Sequence, residues 1–146
     1  MSPRRTSDIE VKTLVRQAGF RATKSRLTVL KALAESARPA SIPSILRTLG
    51  RRAPDQATMY RMLDSFEKAG LVRQVNLRHG HADYELASRG AHHHHLVCTS
   101  CGQIEDFEKC GIENVVRRAL RQSKRFSSVN DHALELFGVC KTCDKK

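Results

Sequence analysis

An α+β chain built from two small domains is predicted for these 146 residues, on three observations. Apolar residues recur at helical spacing through the first half and give way to short alternating strands. Excess positive charge is confined to that same half. Clustered cysteines and a histidine run are confined to the other.

The charge asymmetry is large. From Met1 to Arg78 there are 16 Lys and Arg against 6 Asp and Glu, whereas from His79 to Lys146 there are 10 against 9. Almost all of the net charge of +11 therefore sits in the first half. Such placement points to a polyanion-binding module followed by a module with a different task, although a merely soluble basic domain would carry the same sign.

Each element follows from local pattern. Ile9, Val11, Leu14, Val15 and Ala18 predict a first helix from Asp8 to Ala18, stopped by Gly19. Thr23 is placed to cap a second helix whose buried side is Leu27, Val29, Leu30 and Leu33. Ser41 caps a short third, with Pro43 in its first turn, Ile45, Leu46 and Leu49 as its apolar residues, and Gly50 closing it. The basic loop Arg51-Arg52-Ala53-Pro54 leads to Asp55, the expected cap of a fourth helix running to about Ala69. Met59, Met62, Leu63, Phe66 and Ala69 form its stripe. Leu71–Leu77 and Ala82–Leu86, joined around His79-Gly80-His81, then read as a β-hairpin. Short helices, a basic loop and a hairpin in that order are the sequence of parts in a winged helix-turn-helix. That domain is assigned to residues 1–86.

Ala87-Ser88-Arg89-Gly90-Ala91 is small and polar, and residues 87–91 are read as a hinge. Residues 92–146 form the second domain, an α/β dimerisation domain with structural zinc. Strands are expected through Leu96-Val97, at Gln103–Phe107 and at Ala133–Val139. A helix from about Gly111 to Lys124 carries Ile112, Val115, Val116, Ala119 and Leu120 on one face. So short a domain requires a partner subunit, a metal, or both to bury that face.

No stretch approaches the ~20 apolar residues of a membrane span, and Met1-Ser2-Pro3-Arg4-Arg5 has no apolar run behind it. A cytoplasmic location without membrane association is expected, where five cysteines serve as thiols or metal ligands rather than disulfides. Two Cys-x-x-Cys units, Cys98-Thr99-Ser100-Cys101 and Cys140-Lys141-Thr142-Cys143, supply four thiolates, the tetrahedral shell that zinc prefers. Redox Cys-x-x-Cys motifs normally occur singly at a helix start, whereas these two lie beside strands. Four sulfurs close the site, so it is not catalytic.

His92-His93-His94-His95 runs directly into a strand. Along extended backbone His92 and His94 project one way and His93 and His95 the other, offering an imidazole pair to each of two metal sites. Glu113 and His132 are candidates to complete one site, Glu85 and Asp106 the other. Spacing alone does not choose among them.

Tyr60-Arg61, Ala69-Gly70-Leu71-Val72, Tyr84-Glu85, the histidine run, Leu96-Val97-Cys98-Thr99-Ser100-Cys101-Gly102 and Leu136-Phe137-Gly138-Val139-Cys140 together resemble the ferric uptake regulator family. The similarity runs from Gly19-Phe20-Arg21-Ala22-Thr23 and Arg26 to Cys143. It implies a homodimer that binds operator double-stranded DNA when loaded with a divalent metal (Fe2+, Zn2+ or Mn2+), usually as a repressor. It implies Cys98, Cys101, Cys140 and Cys143 as structural Zn2+ ligands, and His92, His94, Glu113 and His132 as a regulatory metal site. Glu85, His93 and His95 fall on a second sensing site, with Asp106 where some peroxide-sensing members have an aspartate ligand. That site usually takes a further histidine from the DNA-binding domain, near Arg38-Pro39-Ala40-Ser41, but no histidine precedes His79. Three ligands plus water, substitution by His79 or His81, or a degenerate site are the alternatives. Cys110 is most simply an unpaired small residue, with an extra zinc ligand or a redox thiol as the other readings.

On that basis the fourth helix enters the major groove with Thr58, Tyr60 and Arg61 nearest base edges and phosphates. Arg21 reaches an adjacent minor groove or backbone, and Arg51 and Arg52 meet phosphates. A zinc-specific uptake regulator of the same family is the first alternative. A zinc-dependent nucleic-acid enzyme is the second, opposed by the lack of a His-Glu-x-x-His motif or a deaminase pattern. A metal-storage protein is the third, and it predicts DNA affinity indifferent to metal.

Overall fold

The computed structural model describes residues 7–87 and 93–145. The chain divides into two compact units, at Gly90 and Ala91. Of the expected hinge, residues 88–91 lie outside the described residues. Ala87 donates its N–H to the Leu71 carbonyl within the first unit.

The first unit contains α1 (Asp8–Gln17), α2 (Lys24–Glu35), β1 (Ala40–Ser41), α3 (Ile42–Leu49), a 3-10 turn (Gly50–Arg52), α4 (Gln56–Lys68), β2 (Val72–Val75) and β3 (Asp83–Leu86). Local chemistry sets most of these borders. Ser7 and Glu10 form a reciprocal capping box at α1, which satisfies two otherwise orphaned donors. Ser41 accepts from the Ser44 N–H at α3, and Asp55 accepts from the Thr58 N–H at α4. Thr23 occupies the N-cap of α2, but its side chain makes no capping bond, which corrects its expected role. Gly70 (φ +70°) ends α4 with the paired bonds Gly70 N–H to Glu67 and Leu71 N–H to Phe66. Only a residue at ease in the left-handed region closes a helix this way.

Strand β1 was not anticipated. It pairs antiparallel with β3, which also pairs with β2, so the sheet order is β1-β3-β2. The hairpin therefore gains a third strand from just ahead of α3. Val15, Leu30, Leu33, Met59, Leu63 and Phe66 are fully buried in one core with Val72 and Leu86 of the sheet. Each such side chain contributes about 1.5–3 kcal/mol by leaving water. Phe20 meets Phe66 edge-on at 5.6 Å and is covered by the Arg26 guanidinium at 5.0 Å. This is the expected helix-rich unit closed by a hairpin.

The second unit contains β4 (His93–Cys98), β5 (Ile104–Glu108), α5 (Ile112–Gln122), β6 (Glu135–Gly138) and a short α6 (Lys141–Asp144) that the sequence reading lacked. The sheet order is β5-β4-β6, with β4 antiparallel to β5 and parallel to β6. Helix α5 carries the expected apolar face, yet none of its residues is buried. Val115 (61% exposed) and Phe126 (71%) are open to solvent. Among the described residues of this unit only His94, His95, Val97 and Cys98 are buried. Among the described residues, no helix is long and apolar enough to cross a membrane.

Candidate metal centres and nucleic-acid face

The parallel pairing of β4 with β6 sets Cys98 across from Gly138, and Thr99 donates its N–H to the Gly138 carbonyl at 2.8 Å. The chain turns at Thr99–Cys101 directly after β4 and enters α6 at Lys141 after β6, and the two Cys-x-x-Cys units converge there. The Sγ atoms of Cys98, Cys101, Cys140 and Cys143 all lie within 4.8 Å of one another, and Cys101 and Cys140 are 3.8 Å apart. Four sulfurs bound at ~2.3 Å to one tetrahedral ion stand about 3.8 Å apart, so the donor set fits Zn2+.

The thiols are electrostatically prepared for a cation. The Cys140 backbone N–H, 3.3 Å from the Cys98 sulfur, leads the backbone donors that lower the Cys98 thiol to about 6. Cys140 is lowered as well, chiefly by the Cys143 N–H. Cys143 is pushed up to about 12 by the neighbouring thiols, Cys140 foremost. So many sulfurs at this spacing do not all ionise alone, because each thiolate penalises the next. A dication removes that penalty. All five cysteines are free thiols.

A second cluster lies wholly within the same unit. The His94 and His132 Nε2 atoms are 3.2 Å apart, and Cys110 Sγ is 3.4 Å from His132 Nε2. The three donor atoms lie within 4.8 Å of one another. His94 is 4% exposed, with the Phe107 ring 5.3 Å from its own. Of the four regulatory residues expected, His94 and His132 come together. Glu113 is exposed on the first turn of α5 and is not among the converging donors. His92 lies outside the described residues. His132 sits in the loop before β6, not at the start of that strand.

Cys110, which the sequence left most simply as an unpaired small residue, converges with the two imidazoles. The β4–β5 register pairs His94 with Phe107 and His93 with Glu108, so the chain leaving β5 carries Cys110 back past His94. Its only signal in the sequence was a fifth cysteine left over from two complete Cys-x-x-Cys pairs.

The second sensing set divides between the units. His93 and His95 meet edge-to-face with ring centres 5.3 Å apart, while His94 turns toward His132. His95 Nε2 is 3.7 Å from Asp106 on β5. Glu85 belongs to the first unit. It lies opposite Arg73 in the β2–β3 register, and its buried carboxylate accepts a hydrogen bond from the Arg73 Nε. His79 and His81 are in the hairpin loop, facing Asp83.

Arg21, Arg51, Arg52, Tyr60 and Arg61 are all exposed on the first unit. Tyr60 and Arg61 lie on the first two turns of α4, while Arg51 and Arg52 occupy the 3-10 turn that precedes it. Thr58 is committed locally, since its hydroxyl donates to Asp55, which holds the Asp55 carboxyl below its usual range. What Thr58 retains for a base edge is an acceptor.

The ferric uptake regulator family model matches residues 17–137. The chain is 38% identical over 132 residues to the ferric uptake regulation protein of Legionella pneumophila, covering 88% of this chain and 95% of that protein. Among solved structures it is similar to the ferric uptake regulator of Pseudomonas aeruginosa with manganese (32% identity, TM-score 0.70, 89% of this chain and 97% of that one). It is also similar to the regulator of Francisella tularensis with iron (29% identity, TM-score 0.70, 86% of this chain and 96% of that one).

Proposed function

The chain belongs to the ferric uptake regulator family of metal-responsive, DNA-binding transcription regulators, and from that premise we propose a cytoplasmic homodimeric repressor that captures operator DNA when its second unit is loaded with a divalent metal. The convergence of His94, Cys110 and His132 in a unit separately held by four cysteines carries this reading. Two buried or half-buried imidazoles and a thiol form a donor set with room for water or a further ligand. For a second sensing site, His93, His95 and Asp106 are the donors that the second unit supplies. The unburied apolar face of α5 supports dimerisation, because a second copy is the simplest cover for it. The role is regulatory rather than catalytic.

Cys110 favours the zinc-sensing reading over the others. A thiolate suits Zn2+ and is a poor partner for Mn2+. The test is metal analysis of the purified protein, followed by duplex binding at fixed free Fe2+, Zn2+ or Mn2+ and in chelator. Metal should tighten capture about 10- to 100-fold, the ordinary scale of such coupling. Capture indifferent to the chelator overturns the proposal.

Arg21, Arg51, Arg52, Tyr60, Arg61 and the remaining acceptor of Thr58 form the proposed DNA face. An Arg61→Ala change should cost about 1–3 kcal/mol in operator binding if Arg61 reads a base edge. If Arg61 meets phosphate alone, affinity falls uniformly across sequences and the salt slope drops by about one. Binding with neither change removes Arg61 from the interface.

A further inference from the structure

The hairpin of the first unit holds a third group of converging donors, in which His79 Nε2, His81 Nε2 and an Asp83 carboxylate oxygen lie within 4.8 Å of one another. Asp83 is 4% exposed, and its Oδ2 accepts no hydrogen bond among the described residues. A carboxylate buried without a hydrogen bond is costly and calls for a compensating cation. What faces it is a pair of imidazoles. His79 Nε2 is 3.3 Å from Oδ2 and His81 Nε2 is 3.9 Å from Oδ1, with the two rings 4.2 Å apart.

These distances decide between two accounts. A charge-assisted N–H···O bond is drawn in to about 2.7–2.9 Å, and neither contact reaches it. Ligands held at ~2.0–2.1 Å by one tetrahedral ion stand roughly 3.3–3.4 Å apart, which the His79–Asp83 separation matches. His81 needs only a small side-chain rotation, and its side chain is half exposed.

The backbone explains the convergence. Asp83 opens β3 directly across from Val75, the last residue of β2. Between them Arg78 (φ +60°) and Gly80 (φ +86°) both adopt the left-handed region. The loop folds back sharply, and residues two and four positions ahead of Asp83 return to the same carboxylate.

We propose that His79, His81 and Asp83 form a divalent transition-metal site on this hairpin, with three protein ligands and water completing the shell. Two nitrogens and one oxygen select a borderline ion such as Zn2+ or Co2+ over Mg2+ or Ca2+. The site lies entirely within the first unit and shares no ligand with the centres of the second. Loaded, it ties the loop to the start of β3 and neutralises the buried carboxylate.

The test uses the full-length chain dialysed against fixed free Zn2+, with bound zinc counted against protein. A His79→Ala, His81→Ala double variant should bind one zinc equivalent fewer than the wild type, and Asp83→Asn should match it. Both histidines are exposed enough for substitution to spare the fold, and retention of the cysteine-bound equivalent is the internal control. In the wild type, added Zn2+ should shift the His79 and His81 ring-nitrogen NMR signals together. Equal zinc content in wild type and double variant overturns the site. So does a His79→Ala, His81→Ala, His93→Ala, His95→Ala variant that binds as much zinc as a His93→Ala, His95→Ala variant, since the hairpin histidines would then be completing a different set. Neither outcome touches the regulatory reading, which stands or falls on DNA capture.

Discussion

Replacing Cys98 with serine should empty the four-sulfur centre and unfold the second unit while the first stays folded. The second unit has little else to hold it. Among its described residues four are buried, and two of those are histidines. Its last strand is four residues long and is joined to the sheet through one parallel neighbour. Structural Zn2+ in comparable small domains supplies an apparent ~10–16 kcal/mol at neutral pH, more than the ~5–15 kcal/mol by which whole domains are usually stable. Cys98 is the ligand with most to lose. It is buried, and the Cys140 N–H already favours its thiolate. The expected observations are loss of bound zinc, loss of the strand signal in circular dichroism and rapid proteolysis beyond residue 90. The helical signal of the first unit should persist, because its core of Val15, Leu30, Leu63 and Phe66 contains no metal ligand. Retained zinc and retained protection in the variant contradict the assignment.

A His94→Ala, His132→Ala double variant should lose metal-triggered duplex capture while keeping its structural zinc. The two Nε2 atoms, 3.2 Å apart, are the nitrogen donors of the cluster. With both removed, Cys110 alone holds no ion against water. Fluorescence anisotropy of a labelled duplex at saturating free metal should show a fall of about 10- to 100-fold, down to the level of the chelated wild type. Cys110→Ser provides the finer reading. It should weaken response to Zn2+ far more than response to Mn2+, since oxygen for sulfur penalises the softer partner. A double variant that still tightens on DNA when metal is added removes this cluster from the sensing role.

Much of the first unit was legible because its signals are local. Asp55 and Ser41 cap within three residues, Gly70 closes α4 through two short-range bonds, and the Met59–Leu63–Phe66 stripe needs only the helical period. The cysteine centre was legible for a different reason, since paired Cys-x-x-Cys units constrain their chemistry wherever the fold places them. Strand β1 was not legible. Ala40-Ser41 has no strand pattern of its own and is extended because β3 offers it an edge. Thr23 shows the opposite failure, a suitable residue in the capping position with no capping bond.

The sequence by itself determined the two-part architecture, the division of charge, the paired Cys-x-x-Cys units and the family resemblance, because each depends on residue type and short spacing. Only tertiary structure decided which donors share a site. Glu113 stays apart and Cys110 joins His94 and His132 because strand register and the loop before β6 bring together residues distant in sequence. Asp83 lies beside His79 and His81 because two left-handed residues fold the loop back. Register and turn geometry are set by the packing of whole elements, and no window of neighbouring residues contains that information.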